Sequence, residues 1–270
     1  MSVDEIRDFQ SRNAACHEYS PPADNEVPTL VPDREPDACD RTSYEYGAQP
    51  IDILALYKSA KPSVVQVAGN DVGSGFMVDR VGTACLVATA NHLVSNSDQA
   101  AIRFNDTDDV RIIPKVAKDP ANDLALLEFE PNQAGECKPL GLQAKEPRKG
   151  DPVVTLGFPR MSVEMFASPG KILETDGKMK KPPEFGENVD RNVITTEQRT
   201  MGGNSGGPLL NAKGEAVGVH VAGGTRTLSF WKGGGTIRIA HDTKIDALNA
   251  LIEKYKKARA HQPQPMDPAN

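Results

Sequence analysis

The chain contains the glycine-rich decapeptide Arg199-Thr200-Met201-Gly202-Gly203-Asn204-Ser205-Gly206-Gly207-Pro208, which is followed by the apolar pair Leu209-Leu210. Glycines on both sides of the serine make this segment poor material for a helix or a strand, because glycine loses much conformational freedom on folding. The same arrangement suits an exposed nucleophile whose neighbouring amide N–H groups must point at a substrate. We therefore interpret Ser205 as a candidate nucleophile, which requires a base elsewhere in the chain.

Composition sets the outer limits of the interpretation. The chain has 270 residues, of which 25% are charged and 38% are hydrophobic, and this is ordinary for a globular protein. A formal net charge of -6 provides no basic surface, so a nucleic-acid partner is not expected. No apolar run approaches the roughly 18 residues of a membrane span. The charged segment Met1–Asp8 lacks the apolar core of a secretory signal. We predict a soluble chain.

The cysteines give two open readings. Cys16, Cys39, Cys85 and Cys137 form no CxxC pair and no Cys/His cluster with zinc spacing, so the sequence predicts no metal and no cofactor. Either a Cys16–Cys39 disulfide staples the amino-terminal region, or all four are free thiols. Cys85 lies in an apolar run typical of a strand, where a buried and inert cysteine is expected.

The two ends of the chain differ from its body. Residues 1–49 are interrupted by prolines, and acidic residues outnumber large apolar ones. We predict an extension there that is a prosegment, a partner-binding arm or a plain linker. Residues 259–270, which are also rich in proline, are expected to form a tail.

The body alternates short apolar segments with glycine or polar turns, a pattern that predicts antiparallel strands in a barrel or a sandwich. We divide it into residues 50–150 and 151–258, each with six predicted strands. These lie at 63–68, 73–79, 84–89, 101–104, 110–113 and 124–129, then at 152–157, 170–173, 192–196, 207–210, 216–220 and 235–239. A short helical pattern at 51–57 precedes the first strand. Apolar residues at helical spacing from Ile245 to Tyr255 predict a terminal amphipathic helix with Asp242 as its N-cap.

Two polar residues stand at strand ends in the first half. His92 follows the third predicted strand, and Asp123 precedes the sixth. A general base must lie at a rim that is open to substrate. A carboxylate that accepts a hydrogen bond from this base would stabilise the imidazolium formed when Ser205 gives up its proton. The alternatives are a structural histidine and a simple strand-start cap.

Four segments together resemble the trypsin-like (chymotrypsin-fold) serine peptidases, within the bacterial branch that includes the HtrA proteases and the glutamyl endopeptidases. The resemblance covers about residues 51–255, in the family's order of His, Asp and Ser. The matching segments are Gly73-Ser74-Gly75-Phe76, Thr89-Ala90-Asn91-His92, Asn122-Asp123-Leu124-Ala125-Leu126-Leu127 and Gly203-Asn204-Ser205-Gly206-Gly207-Pro208.

The resemblance implies an all-β fold of two six-stranded antiparallel barrels with a C-terminal helix and a site in the cleft between the barrels. It implies a catalytic triad of His92, Asp123 and Ser205, with the amides of Gly203 and Ser205 as the oxyanion hole. No PDZ domain is expected, since the sequence stops soon after the terminal helix. On family grounds the expected location is the periplasm or the cell exterior.

The resemblance also implies where the substrate's P1 side chain binds. Thr200 and His220 match the positions that glutamyl endopeptidases use to hold a P1 carboxylate. We therefore predict a preference for Glu, and less for Asp, at P1. Two alternatives stay open, because His220 could be a structural strand histidine and Arg199 could pair with Glu197. The predicted substrate-binding residues are Arg199, Thr200, His220, Val221, Ala222 and Gly223.

The motifs favour an active serine endopeptidase that acts on protein or peptide substrates through an acyl-enzyme intermediate. The alternative is a catalytically silent or autoinhibited binding protein on a peptidase fold, its cleft blocked by residues 1–49.

Overall fold

A computed structural model describes residues 51–105, 109–179, 191–228 and 235–261. Within these ranges, twelve strands form two closed six-stranded antiparallel barrels. The predicted all-β architecture with a C-terminal helix is confirmed.

The first barrel has the strand order β1-β2-β3-β6-β5-β4, and the second has the order β10-β11-β12-β9-β8-β7. The strands of the first barrel are β1 (Val64–Ala68), β2 (Val72–Val81), β3 (Ala84–Ala90), β4 (Gln99–Phe104), β5 (Val110–Asp119) and β6 (Leu124–Phe129). Those of the second are β7 (Pro152–Gly157), β8 (Phe166–Met179), β9 (Arg191–Gln198), β10 (Pro208–Leu210), β11 (Ala216–Leu228) and β12 (Gly235–Lys244).

The core of the molecule follows from strands that are apolar on both faces. Alternate residues of a strand point to opposite sides of the sheet. In β3, Cys85 and Val87 face the interior of the first barrel, while Leu86 and Ala88 belong to a second apolar cluster. That second cluster also contains Val154 and Leu156 of β7, so it joins the two barrels. The barrels therefore share a core, and this core sets the positions of the strand ends that carry the polar residues.

Three α-helices accompany the barrels in the described ranges, α1 (Ile53–Ala60), α2 (Asn91–Val94) and α3 (Ile245–Ala260). The predicted N-cap of α3 is wrong. Asp242 lies within β12 and is fully buried, and Lys244 is the N-cap. The reason is that β12 continues its ladder with β11 up to Lys244, so the helix starts after the last strand residue. No helix in the described part of the chain is both long and apolar enough to cross a membrane.

A disulfide joins Cys85 of β3 to Cys137, with 52 residues of sequence separation. The expectation of an inert thiol at Cys85 is therefore wrong, and so is the reading of four free thiols. After β6 the chain folds back along β2, where the N–H of Leu140 donates to the carbonyl of Met77 at 2.9 Å, and this return brings Cys137 beside β3. Cys16 and Cys39 lie outside the described residues, as do the predicted extension 1–49 and residues 262–270 of the predicted tail.

Candidate active site

His92 and Asp123 are held together by two hydrogen bonds. His92 lies in α2, the single turn that follows β3, and Asp123 lies in the turn between β5 and β6. The Asp123 Oδ2 is 2.8 Å from the His92 Nδ1, and the Asp123 Oδ1 accepts from the main-chain N–H of His92 at 2.8 Å. Because an ionised carboxylate only accepts hydrogen bonds, Nδ1 is assigned as the donor to Asp123, which leaves Nε2 as the basic nitrogen.

The carboxylate of Asp123 is buried but stays charged. The residue is only 6% exposed. The guanidinium Nη1 of Arg191 lies 3.1 Å from Oδ2. Burial alone would raise the pKa of Asp123, but hydrogen bonds from His92 and the charges of His92 and Arg191 outweigh burial and hold the pKa below its ordinary value. The histidine side chain keeps 23% of its surface exposed, so one side of the ring faces the solvent.

The turn that carries Ser205 packs against the end of β3. The carbonyl of Ser205 accepts from the N–H of Ser74 in β2 at 2.7 Å. Gly206 has a φ of +84°, and a Cβ built on it would lie 2.5 Å from Thr89 Oγ1 and 2.9 Å from the nitrogen of Ala90. The close approach therefore requires glycine, and it places Ser205 beside the strand end from which His92 projects.

The residues just before the serine form a tight turn. The N–H of Asn204 donates to the carbonyl of Met201 at 3.0 Å. Gly203 has a φ of +102°, and a Cβ there would meet the carbonyl oxygen of Phe158 at 2.2 Å. The Ser74 hydroxyl donates to the carbonyl of Gly203 at 2.7 Å, so β2 of the first barrel also holds this turn.

Two main-chain N–H groups of this turn, those of Gly203 and Ser205, have no acceptor among the described residues. The carbonyl of Gly202 accepts from the N–H of Arg160 at 2.6 Å. A trans peptide directs its N–H opposite to its C=O, so the N–H of Gly203 points away from Arg160. Among the residues with described positions, neither the N–H of Gly203 nor that of Ser205 donates a hydrogen bond. Two such donors could stabilise a developing oxyanion.

The two predicted walls of the P1 pocket are in contact. A Cβ built on Gly223 of β11 would lie 2.5 Å from Thr200 Oγ1. That hydroxyl oxygen is buried and has no hydrogen-bond partner among the described residues. Val221 is buried with the core of the first barrel, whereas Ala222 is half-buried and Gly223 is exposed. The carboxylate of Glu197, offered above as an alternative partner of Arg199, lies 3.0 Å from Lys171 Nζ.

His220 lies deeper than these residues, with 1% of its surface exposed. Its Nδ1 is 3.1 Å from Oδ1 of Asp242, its neighbour across the β11–β12 ladder. Since Nδ1 is engaged, Nε2 is the ring atom left for any other partner. The second oxygen of Asp242, Oδ2, is buried without a hydrogen-bond partner in the described part of the structure.

Sequence reasoning missed Arg191 and Asp242. Arg191 opens β9 and reaches a carboxylate of the other barrel, and no local pattern reveals such a contact. One signal could have revealed Asp242. The predicted strand 235–239 can be extended by several residues so that it includes Asp242. A pairing of that extended strand with β11 would have placed Asp242 opposite His220.

Comparison with known proteins gives a consistent result. A family model described as trypsin-like peptidase domain matches residues 73–219. The probable periplasmic serine endoprotease DegP-like of Pseudomonas putida (strain GB-1) is 30% identical over 199 residues, which are 72% of this chain and 38% of that protein. The mitochondrial serine protease HTRA2 of Drosophila erecta is 33% identical over 193 residues, 70% of this chain and 42% of that protein. The chain thus spans about two fifths of the length of these curated relatives.

A solved structure is similar in fold. The crystal structure of the Rv3671c protease of M. tuberculosis H37Rv in its inactive form matches with a TM-score of 0.57 and 25% sequence identity. The match covers 74% of this chain and 92% of the other.

Proposed function

Because the chain belongs to the trypsin-like peptidase family, we propose that it is a serine endopeptidase that hydrolyses peptide bonds through an acyl-enzyme intermediate. The observation that carries the proposal is the two-point hydrogen bonding of His92 by Asp123 beside the Ser205 turn. A histidine fixed in this way presents Nε2 as a general base, which a hydroxyl nucleophile needs at neutral pH.

In the proposed reaction, Ser205 Oγ attacks the carbonyl carbon of the scissile peptide bond while His92 Nε2 takes the hydroxyl proton. Asp123 stabilises the resulting imidazolium, and the N–H groups of Gly203 and Ser205 bind the oxyanion. His92 then protonates the leaving amine, so that the C–N bond breaks and an ester remains on Ser205. A water molecule then adds to the carbonyl carbon of this ester while His92 takes its proton. The bond from the carbonyl carbon to Ser205 Oγ breaks, the acid leaves, and His92 returns the proton to Ser205 Oγ. Each oxyanion donor contributes roughly 100- to 1000-fold in rate.

The proposed substrate class is a protein or peptide with an acidic P1 residue, Glu before Asp. The support is the unpartnered buried hydroxyl of Thr200 against Gly223, together with the Nε2 of His220. The proposed substrate-binding set also includes Arg199, Val221 and Ala222, which adjoin Thr200 and His220 in the sequence. A buried donor without a partner is costly, and a ligand oxygen that pairs with it recovers that cost.

Hydrolysis of fluorescein-labelled casein tests the activity. The wild-type chain should release label, and Ser205→Ala should lower the rate by at least about 1000-fold, since the residual rate comes only from binding and the oxyanion donors. Thermal unfolding of both proteins shows whether the variant keeps its fold. Equal rates for the two folded proteins, or no hydrolysis by the wild type, would contradict the proposal.

Three matched peptides test the P1 preference, with Glu, Gln or Leu at P1 in one sequence. Gln is the neutral isostere of Glu, so the Glu/Gln ratio of kcat/KM isolates the charge. We expect Glu to be cleaved fastest, and we expect Thr200→Val to lower the Glu/Gln ratio by about 10-fold, the worth of one hydrogen bond to a charged group. Faster cleavage of the Leu peptide by the wild type would refute a pocket that selects acidic P1 side chains.

We also propose that the protein works in the periplasm or outside the cell. The Cys85–Cys137 disulfide is typical of an oxidising compartment, and one relative is named as periplasmic. Alkylation of thiols in intact cells, followed by mass spectrometry, tests this location. Protection of both cysteines is expected, and their full alkylation without a reductant would contradict it.

A further inference from the structure

Arg191 makes a buried contact that the proposed mechanism does not use. It is the first residue of β9 in the second barrel, and its side chain is only 4% exposed. Its Nη1 lies 3.1 Å from Oδ2 of Asp123, which belongs to the first barrel. We propose that Arg191 is a positioning residue for catalysis, which holds the Asp123 carboxylate against His92 and influences the pH dependence of the reaction. This inference rests on the proposed serine peptidase function.

Arg191 contacts the same carboxylate oxygen of Asp123 that accepts the hydrogen bond from the histidine ring. Asp123 Oδ2 receives the His92 Nδ1 at 2.8 Å, while Oδ1 receives the main-chain N–H of His92. Arg191 therefore shares Oδ2 with the imidazole. Since a carboxylate rotates about one bond, an ion pair that fixes one oxygen also restricts the direction of the other. The Nη1 contact is an ion pair outside hydrogen-bond geometry, so charge is its main contribution.

A purely structural role explains the contact less well. The turn that holds Asp123 is already attached to the second barrel, because the Thr243 hydroxyl donates to the carbonyl of Asn122 at 2.7 Å. A buried guanidinium loses its hydration, and exchanging a buried ion pair for apolar side chains is often neutral or stabilising. Stability alone therefore gives little reason for an arginine at this position, whereas catalysis does.

The charges around Asp123 determine the expected pH dependence. The charged or titratable groups that act on it in the described structure are His92 from α2 and Arg191 from β9. Thr243 of β12 is neutral, and Asp119, the last residue of β5, accepts from the N–H groups of Ala121 and Asn122. When His92 takes a proton, the cluster changes from neutral to a net charge of +1. Arg191 adds a positive charge to the pair, so its removal should move the acid side of the pH–rate profile to higher pH.

The test is the second-order rate constant for inactivation by a fluorophosphonate probe, measured between about pH 5 and 9. This reaction requires the Ser205–His92 pair but no knowledge of the substrate. The rate should rise with pH along an acid limb and then reach a plateau. We expect Arg191→Met to lower the plateau about 10- to 100-fold and to shift the acid limb to higher pH by about 1 unit. Arg191→Lys keeps the charge, so its acid limb should stay near that of the wild type while its plateau falls several-fold.

Arg111→Met is the matched control, because Arg111 is also largely buried and pairs with Asp109 and Glu136, away from Asp123. It should change stability and leave the acid limb in place. If Arg191→Met does not fold, a double-mutant cycle of Arg191→Lys with Asp123→Asn carries the test: the lysine should slow the reaction only while Asp123 is present. An unshifted acid limb in folded Arg191→Met, or equal slowing in both backgrounds, overturns the inference. No reaction of the wild type at any pH would instead overturn the proposed function.

Discussion

The geometry of the candidate site depends on glycines as much as on the polar residues of the proposed triad. Gly206 and Gly203 both have positive φ and lie where a side chain would strike backbone atoms of neighbouring segments. Because glycine has no side chain, the serine turn can pack directly against β2, β3 and the segment after β7. The glycine-rich sequence around Ser205 therefore reflects close packing as well as backbone conformation.

The substitution Gly206→Ala tests this account of the turn. The new Cβ would lie 2.0 Å from the carbonyl oxygen of Ser74, which belongs to a strand that cannot move freely. We expect casein hydrolysis to fall by more than about 100-fold, because a displacement of the nucleophile by about 1 Å costs this much. Gly214→Ala is the control, since Gly214 has a similar φ of +79° with open space around it. Equal losses in the two variants would show that backbone strain, not the close approach, is responsible.

The charge on Asp123 predicts a pH dependence of stability. Its folded-state pKa lies below the unfolded value of about 3.9. The folded chain therefore binds fewer protons, and the resulting stabilisation is full above the unfolded pKa and is lost as the pH falls through the folded value. In urea unfolding below about pH 5, the free energy of unfolding should fall less steeply with acid for Asp123→Asn than for the wild type. Parallel plots of unfolding free energy against pH for the two proteins would contradict this prediction. A constant difference between the plots would not, because the variant also leaves Arg191 without its ion pair.

Local patterns in the sequence predicted the candidate triad but not the residues that support it. His92, Asp123 and Ser205 each stand in a short local pattern, a strand end or a glycine-rich turn. Arg191 and Asp242 act across the barrel interface and across a strand ladder, where the relevant neighbour is more than 20 residues away in the chain. Such contacts depend on register and on docking of the barrels, which local patterns do not encode.

At the scale of elements, β3 shows what strand patterns predict and what they leave open. Its apolar run correctly indicated a buried strand, and the small residues at its end marked the approach to His92. Its pairing with β6 and the return of the chain after β6 determine that Cys85 meets Cys137. Both features depend on neighbours within the closed barrel, so the cysteines could not be paired from spacing alone.

Removal of this disulfide should destabilise the first barrel. A cross-link across 52 residues restricts the unfolded chain by about 4 kcal/mol in the chain-entropy description. We expect the reductant TCEP to lower the urea midpoint of the wild type to that of the Cys85→Ala/Cys137→Ala variant. The variant retains Cys16 and Cys39, so any further effect of TCEP on it would come from those residues. An unchanged wild-type midpoint after verified reduction of the Cys85–Cys137 bond would contradict the prediction.

At the scale of the whole molecule, the site exists only when the two barrels are docked. His92 and Asp123 come from the first barrel and Ser205 from the second, and Ser74 of the first barrel bonds to the turn of the second through both its N–H and its hydroxyl. Helix α3 strengthens this docking, because Tyr255 and Arg259 both bond to Glu128 of β6. The pattern of apolar segments predicted two halves and a terminal helix. It did not predict the apolar core that the two barrels share, because this core forms only when the barrels pack together.

The proposed function depends on Ser205 being a nucleophile that His92 activates. The most direct test is reaction of the native protein with a fluorophosphonate, followed by peptide mass mapping of the adduct. We expect one stoichiometric adduct, located on Ser205, that is absent from folded His92→Ala. An unmodified Ser205 in the wild type, or equal modification of the His92→Ala variant, would contradict it.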